Sequence, residues 1–357
     1  MKIDKLIKTK ALPSFCTSNF DVIKIIIFFC KIKRLPCLIE CTSNQVNQNG
    51  GYTKNTPKSF IKKIFKISKN LKFKKKNLYL GGDHLGPLPW KYNSKTIALK
   101  NSIKLIGDFL RQNYCKIHID TSIKCRDDKQ INNKMIFNRS KEILKTPIIK
   151  KRLKDKFLII GSEVPLSGSG DVNKLTVTSK EQIKGECNQF KKVLKDLKLK
   201  NKKFGLVIEP GMKYMHSKVV VPKFKKFFEI KKISKDENFV FEAHSTDFQS
   251  QQILTKLVQN NFKFLKVGPE LTLNYSKAIF FMHQIEKKFY KKKHSNIRKV
   301  ILKSMINNPK YWKDYYKKKN ENHFLNSKLD RMRYYLHVNS VSKSINLLKK
   351  NINNINF

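Results

Sequence analysis

Short runs of aliphatic and β-branched residues recur eight times along the chain. Each is followed by a longer stretch whose apolar positions repeat at helical spacing. The runs are 12–16, 37–41, 78–84, 116–122, 157–164, 204–209, 238–244 and 262–267. Their helices carry start signals. Ser18 or Asn19 caps a first helix that buries Val22, Ile25, Ile26 and Phe29, and Thr56 with Pro57 opens a second. Others run from about Ser94 to Asn113 and near 138–152, then from a capping box at Ser179 and Gln182, and from near Pro222. A second capping box pairs Thr246 with Gln249, and the last helix of the series carries Ala278, Ile279, Met282 and Ile285. Strands that are apolar on both faces belong in a parallel sheet covered by helices, and eight strand-helix units close a (β/α)8 TIM barrel. From about Asn296 the alternation stops. The pattern therefore predicts a barrel domain over 1–295 and an aromatic-rich C-terminal helical extension, 296–357, packed on it.

Composition changes this picture little. Hydrophobic residues make up 40% of the 357, too many for a disordered chain. A net charge of +51 invites a nucleic-acid reading, since basic surface releases counterions from phosphate backbones. Only eight of the 77 basic residues are arginine, however, and the lysines are spread over nearly every helix instead of forming one stripe. Specific readers of bases and phosphates lean on arginine's fork. Lys, Asn and Ile share A/T-rich codons, so the bias reads as base composition, and no specific nucleic-acid partner is expected. Seven cysteines, odd in number and without Cys-x-x-Cys, fit a reducing, cytoplasmic setting. The most apolar run, Val22 to Cys30, is interrupted by Lys24 and is too short to span a bilayer, so no membrane partner is expected.

Candidate chemistry follows from parity. Side chains two apart on a strand share a face, and in a barrel the inward face at the carboxyl ends forms the mouth. Glu40, His118 and Asp120, Glu163, Glu209, Glu242 and His244, and Lys266 with Gly268 can all point there. Asp83 and His84 are adjacent, so a straight strand delivers only one of them. Gly81 and Gly82 would let the strand bend to deliver both. Histidines and carboxylates together suit zinc or manganese, and carboxylates with water suit magnesium. A divalent metal held by His84, Glu163 and His244 is therefore expected, with Asp83, Glu209 and Glu242 as candidate acids and bases. Lys266 has two readings. It forms either an ion pair, for example with Glu242, or the nucleophilic amine of a Schiff base, which the surrounding carboxylates disfavour. Ser245 and Gly268 lie where many barrels hold a phosphate, and Asn44, Gln45 and Gln48 can hydrogen-bond sugar hydroxyls beside Asp120.

Several segments are longer than chance spacing. They are Glu40-Cys41-Thr42-Ser43-Asn44-Gln45-Val46-Asn47-Gln48 with Gly50-Gly51-Tyr52-Thr53, Gly81-Gly82-Asp83-His84-Leu85-Gly86-Pro87, Lys116-Ile117-His118-Ile119-Asp120, Gly161-Ser162-Glu163-Val164-Pro165, Glu242-Ala243-His244-Ser245-Thr246-Asp247 and Leu265-Lys266-Val267-Gly268-Pro269. Together they resemble the non-catalytic (Z) subunit family of D-tagatose-bisphosphate aldolase, from Ser14 to about Tyr335. The resemblance implies a barrel related to class II aldolases and a partner, the class II catalytic subunit, in galactitol or N-acetylgalactosamine breakdown. It also implies a sugar-phosphate ligand and admits a second activity, the metal-dependent 4-epimerisation of fructose 6-phosphate and tagatose 6-phosphate with Asp83 as acid and base. Homo-oligomerisation is compatible with either.

Overall fold

All eight apolar runs become strands, because each is flanked by a turn and can bury both faces. They are β1 (Leu12–Cys16), β2 (Cys37–Thr42), β3 (Leu78–Leu85), β4 (Lys116–Ile119), β5 (Phe157–Ile160) and β6 (Phe204–Val207), then β9 (Val240–Ala243) and β10 (Phe262–Val267). A two-residue antiparallel hairpin, β7 (Lys213–Tyr214) with β8 (Val219–Val220), lies between β6 and β9. The eight long strands are parallel and close in the order β1-β2-β3-β4-β5-β6-β9-β10, with Leu12 of β1 opposite Phe264 of β10. This computed structural model describes residues 3–161, 177–199, 204–222, 231–234, 239–316 and 318–355. The loop after β5 and the helix expected near Pro222 fall largely outside them.

Two apolar layers hold the barrel. The outer one lies between strands and helices, where Ile39, Phe60, Phe109 and Phe241 are fully buried. The inner one fills the amino-terminal end of the barrel with Leu12, Leu38, Tyr79, Phe157, Ile159, Val207 and Phe264. A short helix, Ile3–Thr9, closes that end by burying Ile3, Leu6 and Ile7. Seven residues are too few to show helical periodicity against noise, and the pattern did not reveal this helix. With the bottom plugged, the open end is the carboxyl one.

Helix starts follow local chemistry. Asn19 Oδ1 accepts from the amides of Asp21 and Val22, Thr56 and Ser59 form a reciprocal capping box before Pro57, and Ser179 with Gln182 forms another. Three expectations fail. In the helix Phe20–Ile32 the buried face is Val22, Ile23, Ile26, Ile27 and Cys30, while Ile25 and Phe29 are exposed, because they lie on the side of the helix that Asp21, Lys24 and Lys31 turn to solvent. The helix near 138–152 is two, Asn133–Lys145 and Pro147–Arg152, since Pro147 cannot continue the first. Thr246 does not cap a helix. Its hydroxyl donates to Lys266 O, and Ser250 caps the helix Gln251–Gln259 instead.

Past residue 296 the chain forms the helices Ile297–Asn307, Glu321–Asn326 and Asn339–Asn353. The first and last pack on each other, and the last also packs on the helix Pro269–Phe289 that follows β10. The segment between them crosses the carboxyl face. Lys328 N donates to His216 O, Thr272 Oγ1 donates to Asp330 Oδ2, and Tyr334 lies against Tyr52 with ring centres 4.8 Å apart. Among the described residues no helix is long and apolar enough to cross a membrane.

A histidine and carboxylate centre at the barrel mouth

The centre starts with an irregularity in β3. Its pairing with β4 shifts between Gly82 and Leu85, and His84 has φ 45°, a left-handed backbone that is rare away from glycine. This bulge resolves the parity conflict, since both Asp83 and His84 turn into the mouth. The glycines before it serve a second purpose. A Cβ at Gly81 would sit 2.7 Å from Glu40 Oε1, and one at Gly82 2.7 Å from Phe109 Cδ1, so side chains there would push β3 away from its neighbours.

Asp83, His84, His118 and His244 meet over the barrel axis, all buried. Their ring centres are 4.8 Å apart for His84 and His118, 4.9 Å for His84 and His244, and 5.3 Å for His118 and His244. One donor atom from each of the four lies within 4.8 Å of the others, a grouping that can hold a metal ion. Each histidine has a fixed acceptor on at least one nitrogen, and His118 is engaged on both, its Nδ1 lying beside Asp83 Oδ1. His84 Nδ1 is 2.8 Å from Asp120 Oδ2, His244 Nε2 is 3.0 Å from Glu242 Oε1, and His118 Nε2 is 3.1 Å from Gly161 O. Burial pushes Asp120 up, but the bond from His84 and the histidine charges outweigh it and bring its pKa to about 2. An ionised acceptor requires the facing nitrogen to carry the proton, which leaves the lone pair on the other one. In His244 that other nitrogen, Nδ1, is buried with no hydrogen-bond partner among the described residues. Burial, then the charge of Lys266, lowers the His244 pKa to about 4, so its ring is neutral near pH 7. A neutral ring with a buried, unpartnered lone pair is what a metal ligand requires.

Under the histidines runs a ladder of charge. Lys116 Nζ lies 2.8 Å from Glu40 Oε1 and 2.7 Å from Glu242 Oε2, with all three side chains fully buried. Burial raises Glu40, despite Lys116. For Glu242 burial is outweighed by Lys116 and the bond from His244, so it is held below the usual range. The three carboxylates Glu40, Asp83 and Glu242 also lie close enough together to share a cation, and the ammonium of Lys116 already bridges two of them. Lys266 Nζ is 2.6 Å from Asp83 Oδ2, and His118 Nδ1 is 2.8 Å from Asp83 Oδ1. Burial alone would raise Asp83, but the charges of His84 and Lys266 and the bond from His118 hold it well below the carboxylate range. Asp83 is therefore an ionised base held between the Lys266 ammonium and the histidine rings. Cys16 Sγ adds a weak contact to it at 3.6 Å.

The remaining expected residues divide. Glu163 lies outside the described residues. Glu209 lies two residues past β6, and its Oε1 accepts from the amides of Gly211 and Met212, shaping the turn there. Lys266 pairs with Asp83, and Glu242 takes Lys116 as its partner. Gln45 Oε1 accepts from Thr42 N, Gln48 Nε2 donates to Asn101 O, and Asn44 O accepts from Tyr52 N, so much of the polarity of this loop holds its own shape. Gly268 N donates to Asp247 Oδ1, while Ser245 has φ 57° and is partly exposed at the end of β9. Asp247 accepts from Glu270 N as well, and burial raises its pKa to about 6 against these donors. Lys116 is the member that pattern reading passed over. It sits two residues before His118 on the same face, and the signal was the parity rule carried one step down the strand.

The chain is similar to known proteins along nearly its whole length. The family model for the D-tagatose-1,6-bisphosphate aldolase subunit GatZ/KbaZ-like matches residues 1–357. A D-tagatose-1,6-bisphosphate aldolase subunit GatZ from Salmonella dublin is 31% identical over 96% of this chain and 84% of its own length. Among solved structures, a probable tagatose 6 phosphate kinase from Sinorhizobium meliloti 1021 superposes with a TM-score of 0.88 at 26% identity, covering 98% of this chain and 89% of that one. A fructose-bisphosphate aldolase from Campylobacter jejuni shares the fold alone, with a TM-score of 0.51 at 12% identity over 98% of this chain and 91% of that one. With the family model matched end to end, and the motifs of β2, β3, β4, β9 and β10 converging on one mouth, the chain belongs to the GatZ/KbaZ-like family of D-tagatose-1,6-bisphosphate aldolase subunits.

Proposed function

We propose that this chain is the accessory subunit of a cytoplasmic D-tagatose-1,6-bisphosphate aldolase, supporting the activity and stability of a class II catalytic subunit in galactitol or N-acetylgalactosamine breakdown. The match of the family model to the whole chain carries this reading. Residues 1–295 form the sugar-phosphate-binding barrel in it, and residues 296–357 the extension that covers the mouth.

One observation favours a second activity of the same chain, 4-epimerisation of a ketohexose 6-phosphate. It is the gathering of three histidines around an ionised Asp83. A scaffold gains nothing from so many desolvated charges, whereas a proton-transfer site needs them. His84 and His244 would hold a divalent cation, zinc or manganese by their chemistry, which bound there would supply positive charge to substrate oxygen atoms, while His118 bridges Asp83 and Gly161 O beside it. Asp83 takes the proton of the C4 hydroxyl as the C3–C4 bond breaks and returns it when the bond re-forms on the other face. Lys266 keeps Asp83 ionised, and Asp120 and Glu242 orient the rings of His84 and His244. Ser245 lies at the mouth to meet the phosphate.

The test uses the purified chain with added Zn2+ or Mn2+, alone and with a class II catalytic subunit. A rise in aldolase turnover of the partner supports the accessory role, and no rise with a competent partner overturns it. Tagatose 6-phosphate formed from fructose 6-phosphate by the chain alone, and abolished in His84→Ala, supports the second activity. Absence of that product with metal bound overturns it.

A further inference from the structure

Away from the barrel mouth, the C-terminal elements build a second cluster of metal-ligating groups. His283 and Glu286 sit one turn apart on the helix Pro269–Phe289, and His294 follows in the loop after it. One donor atom from each of the three lies within 4.8 Å of the others. His283 Nδ1 is 2.9 Å from Glu286 Oε2, and the ring centres of His283 and His294 are 5.3 Å apart. Two imidazoles bound tetrahedrally to one cation at about 2.0–2.1 Å would place their ring centres roughly 5 Å apart. His294 Nδ1 is buried and has no hydrogen-bond partner among the described residues. A buried ring nitrogen without a partner is costly unless something accepts its lone pair or its proton.

The surroundings are arranged as a supporting layer. Glu286 is fully buried, and its Oε1 accepts from Ser295 N at 2.9 Å and Asn351 Nδ2 at 2.7 Å. Its Oε2 accepts from Ser295 Oγ at 2.6 Å and faces His283. Ser344 Oγ donates to Ser295 O, so the last helix, Asn339–Asn353, is tied to the cluster at two points. The carboxylate is thus held in one orientation, as outer-shell donors hold metal-binding carboxylates. His294 is only partly buried as a residue, which leaves a path for an ion.

We propose that His283, Glu286 and His294 form a second transition-metal site, for zinc or a cation of similar size and preference. The ion replaces the proton shared by His283 Nδ1 and Glu286 Oε2 and takes His294 Nδ1 as its third protein ligand. It clamps the loop after the helix Pro269–Phe289 onto that helix, and holds Glu286 where it accepts from Asn351 of the last helix. The site is independent of the barrel histidines and of the activity proposed for them.

The experiment loads the full chain with Zn2+, removes excess ion by gel filtration, and measures zinc per chain by atomic emission, with the melting temperature alongside. Wild type, His294→Ala, Glu286→Gln and the barrel variant His244→Ala are compared, with circular dichroism confirming that each is folded. Loss of one equivalent in His294→Ala and in Glu286→Gln, with the zinc-induced rise in melting temperature reduced, supports the site. That loss is expected whether or not His244→Ala also loses an equivalent, which separates this proposal from the barrel centre. Zinc content in His294→Ala equal to wild type overturns it and leaves the triad as a hydrogen-bonded pin.

Discussion

Lys266 Nζ and Asp83 Oδ2 are 2.6 Å apart, the amine on β10 reaching the carboxylate on β3 through the middle of the mouth. This contact decides between the two uses of a barrel lysine, because an amine paired with an ionised carboxylate keeps its proton and loses its nucleophilicity. Borohydride treatment in the presence of fructose 6-phosphate should therefore add no mass to the chain. A sugar adduct on Lys266 by peptide mass spectrometry would contradict the pairing. Lys266→Met removes a charge that lowers the Asp83 pKa, so the ionised base persists only at higher pH. The acidic limb of the pH-rate profile for epimerisation should move upward in Lys266→Met.

Lys116 carries a large structural penalty. Its ammonium lies between the fully buried carboxylates of Glu40 and Glu242 and is the cation paired with both. Breaking a buried ion pair from one side costs about 3–5 kcal/mol, since the remaining charge stays behind. Lys116→Met should lose roughly that much stability at pH 8 by urea denaturation. Lys116→Met with Glu40→Gln should recover part of it, and equal loss in single and double variants would show that the triad is not one unit.

The close approach of β3 to β4 can be tested through glycine. A Cβ at Gly86 would run into the carbonyl oxygen of Asp120, which belongs to the main chain and cannot swing aside. Gly86→Ala should destabilise by about 1–3 kcal/mol, the range for overpacking, and should also loosen the bond that His84 Nδ1 donates to Asp120. Gly185, on the helix Lys180–Asp196, faces open space, and a Cβ added there would meet nothing within 4 Å. Gly185→Ala should therefore raise stability by roughly 0.5–1 kcal/mol. Melting curves of the two variants should move in opposite directions.

Asp330 makes stability depend on pH. Burial raises its pKa to about 7, against the nearby charge of Arg333. A carboxyl group raised above its unfolded value binds its proton more tightly in the folded state. Its stabilising contribution is complete below about pH 4, where the unfolded group is also protonated, and is lost as pH rises through about 7. Wild type should therefore lose stability relative to Asp330→Asn between pH 5 and pH 8, measured by denaturant midpoints at each pH. A constant difference would mean that Asp330 is ionised throughout.

The chain's pattern alone determined the eightfold alternation, the parallel closed sheet and the inward parity of Glu40, His118, Asp120, Glu242, His244 and Lys266. These follow from period-two and period-3.6 spacing, which is local information. Three things were decided only in three dimensions. The bulge that turns both Asp83 and His84 inward depends on β3 meeting β4 out of register, a contact between segments more than thirty residues apart. Pairing among the charges, Lys116 with Glu40 and Glu242 and Lys266 with Asp83, depends on which strands stand opposite each other once the barrel closes. The exposure of Ile25 and Phe29 on the helix Phe20–Ile32 depends on how much of the helix the barrel surface covers, because the charged side marked by Asp21, Lys24 and Lys31 does not show how far the solvent face extends.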